Sequence, residues 1–335
     1  MIRFLAMLGM DDWQPYRDSA LLQGVDPATL HRQRPDEAWL ALDARGAPVA
    51  RASLWWREAP ALPNETLGAI GHYGALNAAG GVALLRYLVE RLHVQRCTLA
   101  VGPMDGNTWR RYRFITERGD APPFFLEPDN PDDYPQHFRD AGFDALANFY
   151  SSLNTDLSVG DGRVAGARER LAAQGVALRA LRVEEFDREL ERIYDLSIEA
   201  FVDNYLYTPI AREEFLAQYR QVKPLLVPEL VRIAEIGGEL VGYGFGLPDA
   251  AQAQRGQPVD TFIVKTVAVR PGRRQAGLGA WLVADMQERA RALGFRHAIH
   301  ALMHESNRSR NISRHTAQVM RRYSLFARRL TREGA

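Results

Sequence analysis

The run from Val267 to Leu293 constrains the fold more than any other stretch of the chain. Val267-Ala268-Val269 is a β-branched strand that breaks at Pro271-Gly272. Arg273-Arg274-Gln275-Ala276-Gly277-Leu278-Gly279-Ala280 is a basic turn punctuated by glycine, and Leu282, Val283, Met286, Ala290 and Leu293 then recur at helical spacing. A strand entering a helix in this way leaves backbone N–H groups unpaired at the positive end of the helix dipole, which makes a cradle for phosphate. Gly277 and Gly279 have no Cβ, so a pyrophosphate can approach the backbone, and Arg273 and Arg274 add charge at the rim. The run contains neither Gly-Lys-Ser/Thr nor Gly-x-Gly-x-x-Gly, so it is not a Walker loop or a dinucleotide fingerprint. An ordinary glycine-containing strand-to-helix loop is the alternative.

The order of elements around that turn occurs twice. In the C-terminal half Val231–Glu235, a Gly237-Gly238 turn, Leu240–Leu247, Phe262–Val269, a helix over 276–293 and Ala298–Met303 follow one another. In the N-terminal half Trp39–Leu42, an Arg45-Gly46 turn, Val49–Trp56, Ala69–Leu76, a helix over 79–92 and Thr98–Val101 do the same, after a first strand within 2–8. A chain of 335 residues is long enough for two domains. The spacing predicts an α/β chain of two tandem domains, each a twisted mixed sheet flanked by helices, over residues 1–155 and 177–335, with a linker helix in 156–176. A single large α/β domain is the alternative.

The composition, 46% hydrophobic and 25% charged with a net charge of +1, suits a globular protein and argues against a general nucleic-acid binder. One cysteine, Cys97, excludes an internal disulfide and fits a reducing cytoplasm; in its apolar surroundings it reads as an inert buried thiol. No stretch is long enough for a membrane span, and residues 2–8 are too short for a signal h-region. Lys223 and Lys265 are the only lysines, which a GC-rich coding bias explains.

The sequence strand, Pro, Arg274-x-x-Gly277-x-Gly279, helix resembles motif A of the GNAT superfamily of acyl-CoA-dependent N-acyltransferases. The resemblance implies acetyl-CoA, or another acyl-CoA, as co-substrate, without a metal. It places the pyrophosphate on Arg274, Gln275, Ala276, Gly277, Leu278, Gly279 and Ala280. It places pantetheine and the thioester on the main chain of Val267, Ala268 and Val269, and pantetheine also on Asn307 and Ser309. The corresponding N-terminal stretch, Leu76-Asn77-Ala78-Ala79-Gly80-Gly81-Val82, has no basic rim and a β-branched residue after the glycines, so that copy reads as degenerate for CoA.

Amine acylation needs a base, a polarised thioester and a proton for the thiolate. Many GNAT members carry a glutamate on the fourth strand, where this chain has Lys265-Thr266. The base candidates are therefore His304, Glu235, Tyr243 and Glu305. His304 titrates in the right range, although a lone histidine is more often structural. No tyrosine lies between Asn307 and Gln318, so the acid is either Tyr323, on what reads as the last strand, or water. Asp105, Asn107, Trp109 and Tyr112 of the N-terminal half, with Tyr205, Tyr207 and Tyr243, can border an acceptor in a cleft between the halves. An ordered loop packing one half on the other explains the first four equally well. Eight arginines and no acid lie between Arg308 and Arg332; a solvated basic face is the default, and the 3′-phosphate of CoA is the alternative.

The resulting expectation is an N-acetyltransferase acting by direct attack on a primary amine of a small metabolite, as a cytoplasmic monomer or homodimer without membrane or nucleic-acid partners. The competing readings are a weakly catalytic CoA-binding sensor, and a protein lysine or N-terminal acetyltransferase that docks through its first half.

Overall fold

The computed structural model describes residues 1–159, 162–305 and 317–330. The first half contains β1 (Arg3–Ala6), α1 (Pro27–Arg32), β2 (Glu37–Leu42), β3 (Pro48–Trp55), β4 (Leu67–Ala75), α2 (Ala78–Val94), β5 (Leu99–Gly102), β6 (Phe114–Glu117), α3 (Tyr134–Asp140) and β7 (Asp144–Asn154). The linker helix is α4 (Arg163–Ala173). The second half contains β8 (Val176–Ala180), α5 (Phe186–Ala200), α6 (Arg212–Val222), β9 (Val231–Ile236), β10 (Glu239–Pro248), α7 (Ala250–Gln254), β11 (Thr261–Val269), α8 (Leu278–Ala292), β12 (His297–His304) and β13 (Gln318–Arg329). None of the described helices is long and apolar enough to cross a membrane.

The repeat expected from the sequence is present: β2-β3-β4-α2-β5 and β9-β10-β11-α8-β12 have the same order and pairing. In each, an antiparallel run ends in one parallel pair, β4 with β5 and β11 with β12, joined by a crossover helix as a parallel pair requires. The helices are amphipathic for this purpose. α2 buries Leu84, Leu85, Leu88, Val89 and Leu92 on the first half, while α8 buries Leu278, Trp281, Leu282, Val283, Met286 and Ala290 on the second. Element ends differ from the sequence reading by a residue or two; α8, for example, starts at Leu278 after a short 3-10 turn rather than at 276.

The halves then share one sheet, in the order β1-β2-β3-β4-β5-β13-β7-β12-β11-β10-β9-β8, with β6 also on β13. The last strand of each half has crossed over. β13 pairs with β5 of the first half, and β7 pairs with β12 of the second. Between them β7 and β13 run antiparallel from Gln318↔Leu153 to Ala327↔Asp144. The sequence boundary at 155 follows β7 and that at 177 falls in β8, so along the chain they bracket α4, whereas in the sheet the terminal strands interlock.

Buried polar contacts pin this exchange. The Arg321 guanidinium, fully buried on β13, lies 2.9 Å from Glu127 and donates to the carbonyl oxygen of Ala121 at 2.6 Å. The Tyr323 hydroxyl bonds Ser151 Oγ at 3.0 Å and donates to Glu127. Pairing with Glu127 and the backbone carbonyls offsets part of the cost of burying the Arg321 charge.

Candidate active site

β11 and β12 pair only from Thr261↔His297 to Val264↔His300, after which, among the described residues, no strand lies beside β11 on that side. The strands splay, and Lys265 to Val269 keep a free edge. Opposite Lys265 the β10–β11 register slips: Phe245 faces Thr266 and Gly246 faces Val264, so Lys265 is the extra residue of a β-bulge. A bulge re-aims the side chain it carries. Thr266 beside it bonds the Tyr219 hydroxyl of α6, whereas Val264 and Val267 pack with α8.

At the end of the splay Gly277 adopts φ +87° and starts α8, a conformation that glycine adopts without strain. No side chain caps this N-terminus, so its N–H groups keep their full capacity for an anion. The linker helix borders the turn: Arg170 donates to the carbonyl oxygens of Arg274 (3.4 Å) and Ala276, and a Cβ on Gly277 would lie 2.8 Å from that of Ala167. Arg274 and Ala276 are exposed and Gln275, Gly279 and Ala280 half-buried, while Ala268 and Leu278 point into the core and can meet a ligand only through main chain. Val267 and Val269 pack half-buried against the α4–α8 cluster. Asn307 and Ser309 lie outside the described residues.

The same place in the first half is closed. Gly80 and Gly81 sit inside the first turn of α2 rather than in a loop, and Asn77 caps the helix by accepting from Gly80 N–H at 2.8 Å. A Cβ on Gly80 would meet Val49 Cγ2 at 2.7 Å, so that glycine serves close packing on β3. Where β4 and β5 part, the Tyr134 hydroxyl accepts from Ala75 N–H (2.9 Å) and donates to its carbonyl (3.2 Å), and Tyr73, Phe114 and Phe138 pack around it.

The second-half splay opens toward a group of cations and aromatic rings. Arg113, just before β6 and buried, holds its guanidinium 3.7 Å over the Tyr112 ring and 4.1 Å over the Phe149 ring, and donates to Leu302 O at 3.1 Å. Burial pulls it down to about 9. Lys265 is half-buried by exposed area, and the protein around it is dense enough to shift it. Burial, then the charge of Arg113, lowers it to about 8. The His304 ring packs edge-on to Phe149 (4.9 Å) and against Tyr205 (5.6 Å). Its pKa is lowered by burial and Arg113 against a smaller raising effect of Glu305, which itself pairs with Arg322 at 3.4 Å.

Several expected site residues are placed elsewhere. Glu235 is held between Arg179 (2.7 Å) and Arg192 (2.8 Å), and its bonds to these arginines pull it down to about 2, so it is too weak a base to take a proton from an amine. Tyr243 is fully buried with its hydroxyl 2.7 Å from Ser197 Oγ, a core residue rather than an acceptor contact. Tyr323 is equally buried and, bonded to Glu127 and Ser151, has its pKa raised by burial; its proton belongs to the interlock. Asp105 accepts from His72 N–H at 2.6 Å and so ties its loop to β4, and Asn107 accepts from Trp109 N–H at 3.0 Å and shapes the loop itself. Trp109 donates to Thr208 O at 2.8 Å and packs on Phe201, Tyr207 and Phe215, and Arg110 beside it makes a bidentate pair with Glu214. Together these residues form the seam between the halves. Tyr207 bonds Ile198 O at 3.3 Å within the second half. Tyr112, Tyr205 and His304 are the expected residues that come together near the splay. Arg113 and Lys265 were not singled out by the sequence reading, although the scarcity of lysine was a signal for the latter.

A family model for the acetyltransferase (GNAT) family matches residues 190–314, which span the α8 turn, the bulge and both splayed strands. The second half of the chain is a GNAT domain. The chain is 26% identical over 197 residues to a bacterial ceramide synthase from Caulobacter vibrioides, a match covering 57% of this chain and 51% of that protein. The chain thus spans about half the length of that relative. Among solved structures, a probable N-acyltransferase of unknown function from Enterococcus faecalis superposes with a TM-score of 0.56 at 12% identity, covering 98% of this chain and 72% of its own. A GCN5-related N-acetyltransferase from Sphaerobacter thermophilus superposes at 0.50 and 16% identity, covering 99% and 97%. These likenesses extend the GNAT fold over both halves.

Proposed function

We propose that the protein is an N-acyltransferase that takes acyl-CoA in its second GNAT domain and an amine from the seam between the halves. The observation that carries this reading is the open splay beside an uncapped α8. Its N–H groups and Arg274 suit the pyrophosphate, and the free edge of β11 suits pantetheine. The amine nitrogen attacks the thioester carbon, the C–S bond breaks, and the proton leaves to His304, directly or through water. With Tyr323 locked in the interlock, water protonates the thiolate. The first domain supplies Arg113, Tyr112 and Phe149 to the acceptor side.

An acetyl group and a small amine are the simplest substrates. The similarity to a ceramide synthase favours a second version, a long acyl chain passed to a long-chain amino alcohol. Thiol release from acetyl-CoA and from a long-chain acyl-CoA, each with a panel of small amines, a long-chain amino alcohol and lysine peptides, tests both. Turnover with a small amine supports the first version, and turnover restricted to the long-chain pair supports the second. Thiol release only from peptides would show a protein acyltransferase, and none from any donor a CoA-binding protein without transfer.

A further inference from the structure

Lys265 and Arg113, from different halves, come to the same splay, since Lys265 follows Val264, the partner of His300, and Arg113 donates to Leu302 O two residues further along β12; among the described residues neither has a carboxylate partner. No hydrogen bond or ion pair reaches the Lys265 ammonium among the described residues, and the one electrostatic neighbour that shifts it is Arg113, a like charge. Among the described residues Arg113 makes one hydrogen bond, to the neutral carbonyl of Leu302, and the one side chain that shifts it is Tyr323. The sequence between β12 and β13 offers no relief, since residues 306–316 contain no aspartate or glutamate. Several other enclosed cations have carboxylates, Arg179 with Glu189 and Glu235, Arg232 with Asp285 and Arg321 with Glu127, whereas Arg51 is held by the carbonyl oxygens of Leu21 and His72. Two enclosed, adjacent cations without a counter-ion are costly unless a ligand supplies one.

We propose that Lys265 and Arg113 form a receptor for an anionic oxygen group on the acceptor, so that the acceptor is an amine that also carries a carboxylate or a phosphate. This rests on the acyltransferase reading for the word acceptor, but not for the anion site itself. The position supports it: Lys265 is the bulge residue at the mouth of the splay, on the acceptor side with Thr266 and Tyr219, away from the pyrophosphate turn. Arg113 is fixed by two rings and a carbonyl, so its remaining donors are preorganised. An anion there would also orient the amine beside His304, which lies against the same Phe149 ring. A simple long-chain amino alcohol has no such group, so the proposal separates the two versions of the reaction.

Because the chain has only Lys223 and Lys265, protein labelled with 13C at lysine Cε gives two side-chain signals, which Lys265→Met assigns. Inorganic phosphate and acetate are titrated separately into the full chain, with chloride at matched ionic strength as control. A saturable movement of the Lys265 signal, with Lys223 and the chloride control unmoved, is the expected result, and the tighter anion names the headgroup. Absence of saturable movement with both anions overturns the proposal, and an equal response to chloride reduces it to an adventitious ion only. A kinetic arm compares β-alanine with 3-aminopropionamide and phosphoethanolamine with ethanolamine. The charged member of one pair should have the higher kcat/KM by about ten- to a hundredfold. Lys265→Met should erase that preference, costing the charged member far more than the neutral one, and Lys265→Arg should keep most of it. Equal loss for both members would mean that Lys265 acts on the thioester or the fold, and would overturn the proposal. Should no amine be acylated, the transferase reading fails, and the lysine signals still decide for or against the anion site.

Discussion

The two halves hold the same strands in the same order, yet one V between the strands is closed and the other is open. In the first, Tyr134 occupies the free edge of β4, Asn77 satisfies the start of α2, and the bulged His72 is bonded on both ring nitrogens, to Ser53 at 3.0 Å and Gln33 at 2.7 Å. In the second, the edge of β11 is free, α8 starts without a side-chain cap, and the bulge residue Lys265 bonds nothing among the described residues. A duplicated fold thus separates into a half whose polar groups are internally satisfied and a half whose unsatisfied groups are arranged for ligands. The difference comes from a few side chains, because backbone N–H and C=O groups at a splay need partners whether a ligand or the protein supplies them.

The strongest way to break this comparison is at the turn. Gly277→Asp puts a side chain on a backbone at φ +87°, against Ala167, and sets a negative charge where the pyrophosphate is expected. Affinity for CoA should fall by at least about a hundredfold, roughly 3 kcal/mol. Calorimetry on full-length protein should count one site per chain before the change and none after it. Retained affinity in a folded variant, or two equal sites in the wild type, would sink the asymmetry.

A smaller effect belongs to His304. If it accepts the proton, His304→Ala should lower kcat by about a hundredfold while leaving CoA affinity nearly unchanged. Burial and Arg113 lower its pKa, so the neutral, proton-accepting form should predominate below the usual imidazole range. The limb of the wild-type pH–rate profile that His304 governs should therefore lie at lower pH than an ordinary imidazole would place it, and the variant should lose that limb. An unchanged pH profile would return His304 to a packing role against Phe149 and Tyr205.

Glu235→Gln should separate stability from turnover. The two arginines hold its pKa near 2, below that of a free carboxylate. A depressed folded-state pKa gives stabilisation that is fully present above about pH 4.5 and is lost as pH falls toward 2. The substitution should cost about 1–2 kcal/mol at neutral pH, after allowing for solvent screening, and less in acid. Thermal unfolding across pH reads this, and the pH–rate profile should not move. A shifted profile would restore Glu235 as a base.

The repeated order of strand, hairpin, strand, turn and helix is legible in the sequence because alternation and glycine turns are local signals. The α8 turn is legible for the same reason. The crossing of β7 and β13 is not, since both read as ordinary strands and nothing local to Phe149 or Tyr323 says which neighbour each will pair with. Tyr243 illustrates the matching error at the site: a tyrosine on a sheet strand near a cleft has the same letters whether it faces the ligand or Ser197. Arg113 is hidden because its partners, Phe149 and Leu302, are distant in sequence. Lys265 was visible twice, as one of two lysines and as a cation where the resemblance expects a carboxylate, and only its place in the bulge gives those facts a meaning.

The finest probe of the comparison is the closed half. Two causes keep CoA out of it, the Tyr134 hydroxyl on the edge of β4 and the Asn77 cap on α2, and they are separable. Tyr134→Phe keeps the ring in its cluster with Tyr73, Phe114 and Phe138 and removes only the two hydrogen bonds to Ala75. An amide and a carbonyl left without that partner should cost about 1 kcal/mol of stability, and hydrogen exchange at Ala75 should quicken. The CoA count should stay at one per chain, because Asn77 still caps α2 and Gly80 and Gly81 still lie within its first turn. Unchanged stability and exchange would mean that the hydroxyl does not seal the strand. A second CoA site would mean that the seal alone distinguishes the halves, and that the missing basic turn matters less than the contrast between Asn77 and Gly277 implies.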